Sequence, residues 1–255
     1  MKYPVALLLP ALICAGAACG KPQSSVTQDT VADVDSTLND TLEEDSLRVL
    51  AFPIDSIPEG DSGTRYTTLT EEDFRIVAEE LGVEVAAIKA VVSIEAGSAM
   101  KGFYAPGIPV VNFDQKMYNL YASKATDKKG SKNEKVPAGL SGAGLREWTQ
   151  LINARKKNAD GALMGTFWGM FQIGGFNYKL CGCSSVKEFV RVMSESEFSQ
   201  LELFAKFITN AGMLKDLKNK NWAAFSRKYN GPNYARRGYH TKMAAAYKKF
   251  KAKEK

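Results

Sequence analysis

Histidine is nearly absent: His240 is the only one in 255 residues. A Ser-His or Cys-His hydrolase would have to use it, and nothing beside it suggests an activated nucleophile, which argues against that class. Cysteine is scarce as well, with four in the chain. Cys14 and Cys19 lie close to the start. Cys181 and Cys183 stand one residue apart, and so short a ring would be strained, so no disulfide framework is expected. With a single histidine to help, that pair is also a poor zinc set. Both are read as small buried or half-buried residues. Long apolar runs are missing too: the one from Val5 to Ala18 is too short to span a bilayer. There is no internal repeat. No base-reading motif accompanies the basic residues, which leaves no basis for a nucleic-acid partner.

The start of the chain reads as an address. Lys2 supplies a positive n-region, Val5–Ile13 an apolar core, and Ala15, Gly16, Ala17 and Ala18 a small-residue cleavage region. Residues 1–18 are thus expected to be a signal peptide. Gly16-Ala17-Ala18 before Cys19 resembles the lipobox of bacterial lipoproteins, with Gly16 where leucine is usual. Lipidation of Cys19 would anchor the exported protein to a membrane, in the periplasm or on the outer membrane. Ordinary cleavage near Ala17 or Ala18 is the alternative.

Residues 19–65 are rich in Ser, Thr and Asp and cannot bury enough apolar surface to fold. They read as a flexible acidic tether. From Lys21 to Arg65 there are ten acidic and three basic residues, leaving residues 66–255 with 30 basic against 18 acidic, a charge of +12. Such a basic domain suits an anionic polymer or surface.

The folded part, residues 66–255, opens at Leu69-Thr70-Glu71-Glu72-Asp73-Phe74. Thr70 fits an N-cap, Asp73 a capping box and Leu69 a staple onto Phe74. Phe74, Val77, Ala78 and Leu81 make an apolar face that Gly82 ends. A second helix is predicted from about Glu84 to Ala96. Gly102, Pro106, Gly107 and Pro109 punctuate short extended pieces ending at Val110–Phe113, which predicts a small β-hairpin. A short helix with Met117, Leu120 and Tyr121 follows, and then a lysine-rich loop over 123–143. The remainder reads as helical: Leu145, Trp148, Leu151 and Ile152 share one face, and Val186, Phe189, Val190 and Met193 another, after a capping box at Ser185 and Glu188. Phe198, Leu201, Phe204, Ala205 and Ile208 form a third, Trp222, Phe225 and Tyr229 a fourth, and a last helix spans about Tyr239–Phe250. The fold class expected is mostly α (α+β), one helical domain with a small hairpin.

Glu95 breaks the pattern. Ile88, Val91, Val92 and Glu95 fall at i, i+3, i+4 and i+7, so a carboxylate continues an apolar face. Desolvation there raises a carboxyl pKa, the condition for donating a proton near neutral pH. A helix-end glutamate that reaches solvent or a lysine would give the same spacing. Two further segments stand out, Thr166–Asn177 and Lys228-Tyr229-Asn230-Gly231-Pro232. Glycines beside aromatics allow a ligand close to the backbone, and Gln172 and Asn230 can each donate and accept. Glu147 and Asp160 have no motif around them.

In this order, a glutamate ending an apolar helix, then Gly169-Met170-Phe171-Gln172-Ile173, then Tyr229-Asn230-Gly231, resembles the lysozyme-like superfamily. More closely, the chain is similar to the N-acetylmuramidase family found in phage endolysins and bacterial exported proteins. The likeness runs from about Leu69 to Phe250. Other markers are Cys181 followed by Ser185–Val190, Trp222-Ala223-Ala224-Phe225, and Thr241-Lys242 before Ala244–Tyr247.

The resemblance implies a lysozyme-like fold and cleavage of the β-1,4 bond between N-acetylmuramic acid and N-acetylglucosamine in peptidoglycan. Glu95 would be the general acid. Trp168, Gly169, Gln172, Tyr229 and Asn230 would bind the glycan. Where the family has a second carboxylate after phenylalanine, this chain has Phe113-Asp114. Asp114 would activate water or stabilise an oxocarbenium-like transition state, and it equally suits the N-cap of the next helix. Ala96 replaces the family's usual serine. Acid–base glycoside hydrolysis needs no metal or organic cofactor, so none is expected, and the enzyme is expected to act as a monomer on glycan strands. The alternatives are a lytic transglycosylase giving 1,6-anhydro products, which needs no second carboxylate, and a non-catalytic peptidoglycan-binding protein on the same scaffold.

Overall fold

The computed structural model describes residues 69–96, 101–125, 130 and 133–254. The expected signal peptide, Cys19 and the acidic tether lie outside these residues. The first helix, α1 (Glu71–Leu81), begins as its sequence requires. Thr70 Oγ accepts from the Asp73 N–H at 3.2 Å, and Asp73 Oδ2 accepts from the Thr70 N–H at 2.7 Å. Gly82, at φ +60°, turns the chain out of the helix in the left-handed region that glycine tolerates best.

Helix α2 (Val85–Glu95) carries the anomalous glutamate at its end. Ala86, Ala87, Ile88, Ala90, Val91 and Val92 are all fully buried, so the helix is buried nearly all round rather than along one stripe. Its alanines let the last helix, α10 (Tyr239–Lys251), pack along it. Polar contacts fix the start of α2. Glu254 Oε1 accepts from the Ala86 N–H at 2.9 Å. Glu84 receives Lys220 Nζ at 2.6 Å, Lys251 Nζ at 2.8 Å and the Tyr247 hydroxyl at 3.0 Å. These donors, the two lysines first, hold the Glu84 carboxyl down at about 2.

The hairpin is shorter than the sequence suggested. β1 (Phe103–Ala105) and β2 (Ile108–Pro109) pair antiparallel around Pro106-Gly107, with Gly107 at φ +70°. β3 (Val111–Phe113) then leaves the hairpin and joins β4 (Thr166–Trp168), which pairs with β5 (Ile173–Gly174) in a second antiparallel sheet. The register sets Val111 against Trp168 and Phe113 against Thr166. The expectation of helix beyond residue 143 therefore fails over 166–174. Thr166-Phe167-Trp168 has strand-forming side chains, and the turn between β4 and β5 holds Gly169 at φ +68° and Gln172 at φ +49°, which no helix accepts. The strand partner lies more than fifty residues away in sequence, so local pattern could not supply it.

Of the other helices, α3 (Gln115–Ala122), α4 (Gly142–Arg155), α6 (Val186–Met193), α7 (Glu197–Asn210) and α9 (Trp222–Asn230) fall near their expected places, while the short α5 (Ala159–Met164) and α8 (Leu214–Lys218) had no face of their own in the sequence reading. α3 and α4 pack on α5, α6 on α7, and α9 on α10. Trp148 meets Trp168 edge-on at 6.2 Å, and Phe171 stacks on Phe204 at 4.5 Å. Each such buried ring contributes on the order of 2 kcal/mol through the water it sheds. Leu145 departs from its expected face and is 43% exposed. The capping box at Ser185 closes only halfway: Ser185 Oγ accepts from the Glu188 N–H, while Glu188 Oε2 accepts from the N–H and hydroxyl of Ser184 instead.

Candidate active site

Glu95 ends α2, and Asn230 ends α9. Asn230 Nδ2 donates to Glu95 Oε1 at 3.2 Å, bringing the two sequence-predicted residues together across 135 positions. Glu95 keeps some surface open to solvent, yet protein packs around it densely. That burial raises its carboxyl to about 7, against the opposing pull of the Asn230 hydrogen bond. A carboxyl titrating there is protonated for part of the population at neutral pH and can act as a general acid. Asn230 is itself buried, and its Oδ1 has no hydrogen-bond partner among the described residues. One end of the amide thus holds the acid, and the other keeps an unspent acceptor beside it.

Tyr229 belongs to the same helix end but serves a different purpose. Its hydroxyl donates to the Phe171 carbonyl at 2.8 Å. Its ring stacks on Phe225 at 5.8 Å and meets the edges of Phe204 and Phe207. Burial first, then the Glu95 charge, push its phenol well above the ordinary range. With the hydroxyl spent internally, Tyr229 ties α9 to the turn after β4. Its side chain is half-buried, and the contacts it makes within the protein are those of a brace.

Two more expected glycan contacts are core residues. Trp168 is fully buried, with its indole N–H donating to Leu163 O at 3.0 Å. Gly169 is buried at the turn. Its N–H donates to Val110 O at 2.8 Å, and a Cβ there would stand 2.7 Å from Gln200 Oε1. The glycine makes room for a neighbouring glutamine. Gln172 is half-buried, with Nε2 donating to Gly169 O at 2.8 Å. Like Phe176 and Asn177 at the end of the segment, it retains access to solvent.

Asp114 caps α3. Its Oδ1 accepts from the N–H groups of Lys116 and Met117 at 2.8 and 2.9 Å. The capping alternative is thus what the geometry displays at that oxygen, with Oδ2 left over. Glu147, which no motif marked, accepts from the Phe113 N–H at 2.9 Å and so pins α4 to β3, one residue before Asp114.

The sequence reading missed the residues that hold these parts together. Gln200 on α7 is fully buried. Its Oε1 accepts from Met170 N–H at 2.8 Å, and its Nε2 donates to Met193 O at 2.9 Å and to Gly102 O at 3.2 Å. Glu197, one turn earlier, accepts from the Gly102 N–H at 2.8 Å. A Cβ at Gly102 would lie 2.4 Å from Gln200 Oε1, so only glycine fits. These bonds clamp the hairpin base to the turn that Tyr229 grips from the other side. A connected path runs from Gln200 through Met170-Phe171 and Tyr229-Asn230 to Glu95. The signal was present in the sequence: Glu197 lies i−4 from Leu201 and i−7 from Phe204, another carboxylate continuing an apolar face.

Among the described residues no group of three or more His, Cys, Asp or Glu is placed to hold a metal ion. Cys181 and Cys183 are free and buried. Burial raises both thiols, Cys183 to about 11, so neither is poised as a nucleophile.

A sequence profile of N-acetylmuramidases matches residues 84–251, a span holding Glu95, Asp114, Gln172 and Asn230. The fold is similar to the crystal structure of a Burkholderia AP3 phage endolysin, with a TM-score of 0.62 and 32% identity over 76% of this chain and 74% of that one. Among curated proteins no match was found. The profile spans well over half of the chain and the structural likeness agrees with it: the chain belongs to the N-acetylmuramidase family, and is a glycoside hydrolase acting on peptidoglycan.

Proposed function

We propose that the enzyme hydrolyses the β-1,4 bond between N-acetylmuramic acid and N-acetylglucosamine, with Glu95 as the proton donor. The observation that carries this reading is the Glu95 carboxyl, raised to about 7 by burial and held by Asn230. Glu95 protonates the glycosidic oxygen as the bond to the anomeric carbon breaks. Asn230 steadies the carboxylate that results, since its N–H favours the charged form. Gln172 and the free Oδ1 of Asn230 suit the hydroxyl and acetamido groups of the sugars. Asp114, through the oxygen not used in capping α3, would activate the attacking water. Export with a lipid on Cys19 would keep the basic domain close to its substrate.

A specific observation favours a second reading. Asp114 Oδ1 is committed to two backbone N–H groups, and a lytic transglycosylase needs only one acid. The sugar's own 6-hydroxyl would then attack, giving a 1,6-anhydro product lighter by one water. Asp114→Asn separates the two. Asparagine caps a helix as well as aspartate does, so folding changes by less than about 0.5 kcal/mol. Hydrolysis with Asp114 as base predicts a loss of about a hundredfold or more in turnover. Full activity of Asp114→Asn, with anhydro ends in the digest, would establish the transglycosylase instead.

A further inference from the structure

We propose that the surface next to Asn230 is a subsite for the carboxylates of the substrate's stem peptides, with the Arg227 guanidinium as its anchor. This rests on the reading that peptidoglycan strands occupy the Glu95 site. From Leu217 to Lys253 the chain has no acidic residue and eleven basic ones. Carboxylates outside this stretch pair with Lys220, Lys228 and Lys251. Lys220 and Lys251 pair with Glu84, and Lys228 pairs with Asp216 at 2.7 Å.

Arg227 is held differently. No carboxylate lies within ion-pair distance of it among the described residues. Its Nη2 donates to the Tyr234 hydroxyl at 3.4 Å, and its Cζ lies 5.6 Å from the centre of the Tyr234 ring. Tyr234 also meets His240 edge-on at 5.3 Å, a contact that steadies the ring. The guanidinium is therefore exposed, charged and orientated by an aromatic face. A planar fork with unspent N–H donors matches a carboxylate in two-point geometry.

Its position gives the site its meaning. Arg227 and Asn230 are i and i+3 on α9, neighbours on the helix surface, and Asn230 touches Glu95. Gly231, at φ +75°, turns the chain immediately after Asn230 so that Tyr234 returns beside Arg227. Arg236 and Lys242 are exposed and add positive potential on the same stretch. Muramic acid carries a lactyl-linked peptide with free carboxylates on every second sugar. A strand threaded past Glu95 would bring those groups within a helical turn of Arg227. A homopolymer of N-acetylglucosamine offers none.

The test compares peptidoglycan bearing its stems, the same glycan stripped of stems by an amidase with the lactyl carboxylates so freed then chemically amidated, and intact material with its stem carboxylates chemically amidated. Purified protein and its Arg227→Ala and Arg227→Glu variants are assayed on each. On intact peptidoglycan the variants should raise KM about fivefold to tenfold, the loss of one charge-assisted contact at a surface, with kcat little changed. Wild type and variants should converge on the stripped and the amidated substrates. Arg227 is exposed, so melting temperatures should stay together and exclude misfolding. An equal KM effect on stripped glycan, or none on intact peptidoglycan, would overturn the subsite. Failure of the wild type to cleave any of the three would instead overturn the proposed glycosidase reading itself.

Discussion

Replacing Glu95 by glutamine should stabilise the protein, and by an amount that depends on pH. The carboxyl titrates near 7 in the fold and near the ordinary 4.5 once the chain unfolds. Between those values the folded state binds more protons than the unfolded one, so stability falls as pH rises through that interval. Below it the carboxyl is neutral in both states and costs nothing. Above it the charged form is buried, and the fold carries the full penalty. Each pH unit between the two values is worth about 1.36 kcal/mol, so the penalty above pH 7 is about 3 kcal/mol. Glutamine keeps the acceptor that Asn230 donates to but never carries charge. In denaturant titrations at pH 4 and pH 8, Glu95→Gln should therefore gain about 3 kcal/mol more over wild type at the higher pH. The same variant should show no turnover at either pH. A stability difference that is flat with pH would refute the argument that burial makes this carboxyl an acid, whatever the variant does to activity.

Three other variants probe the supports of Glu95. Asn230→Ala removes the hydrogen bond that favours the charged carboxylate, so the alkaline limb of the pH–rate profile should move up by about one unit; an unmoved limb would mean that the contact does not act on Glu95. Tyr229→Phe deletes a hydroxyl spent on Phe171 and should cost about 1 kcal/mol of stability while leaving KM unchanged; a rise in KM would make the Tyr229 hydroxyl a glycan contact as well as a brace. Gln200→Leu strands Met170 N–H and Gly102 O inside the protein and should cost roughly 3 kcal/mol, read as a lower melting temperature. In the same variant, kcat should fall at temperatures where the protein remains fully folded.

Much of this site was legible in the sequence because its signals are local. The capping box at Thr70 and Asp73, the glycine ending α1 and the apolar run before Glu95 all act within a turn or two of helix. Glu95 also stood out by contrast, as a charge on an apolar face. That contrast does not discriminate, because Glu197 shows it equally. Glu197 is enclosed on a backbone N–H of Gly102, whereas Glu95 keeps a solvent-facing side next to Asn230. Only the partners separate a clamp from an acid, and partners about a hundred residues away are not written in local spacing. The surroundings of Trp168 and Gly169 were hidden for the same reason. An aromatic beside a glycine suggests a sugar platform, but here the glycine makes room for Gln200 and the indole donates to Leu163. The strand at 166–168 was hidden because its partner, β3, lies far back in the chain.

The central claim is that this fold uses a neutral Glu95 to admit water across a glycosidic bond. Digestion of peptidoglycan in water enriched in heavy oxygen, followed by mass spectrometry of the released muropeptides, tests it most directly. Hydrolysis predicts reducing ends at N-acetylmuramic acid that carry the heavy oxygen, and none when Glu95 is glutamine. Products that are all 1,6-anhydro and unlabelled, or label incorporation that persists in Glu95→Gln, would contradict it.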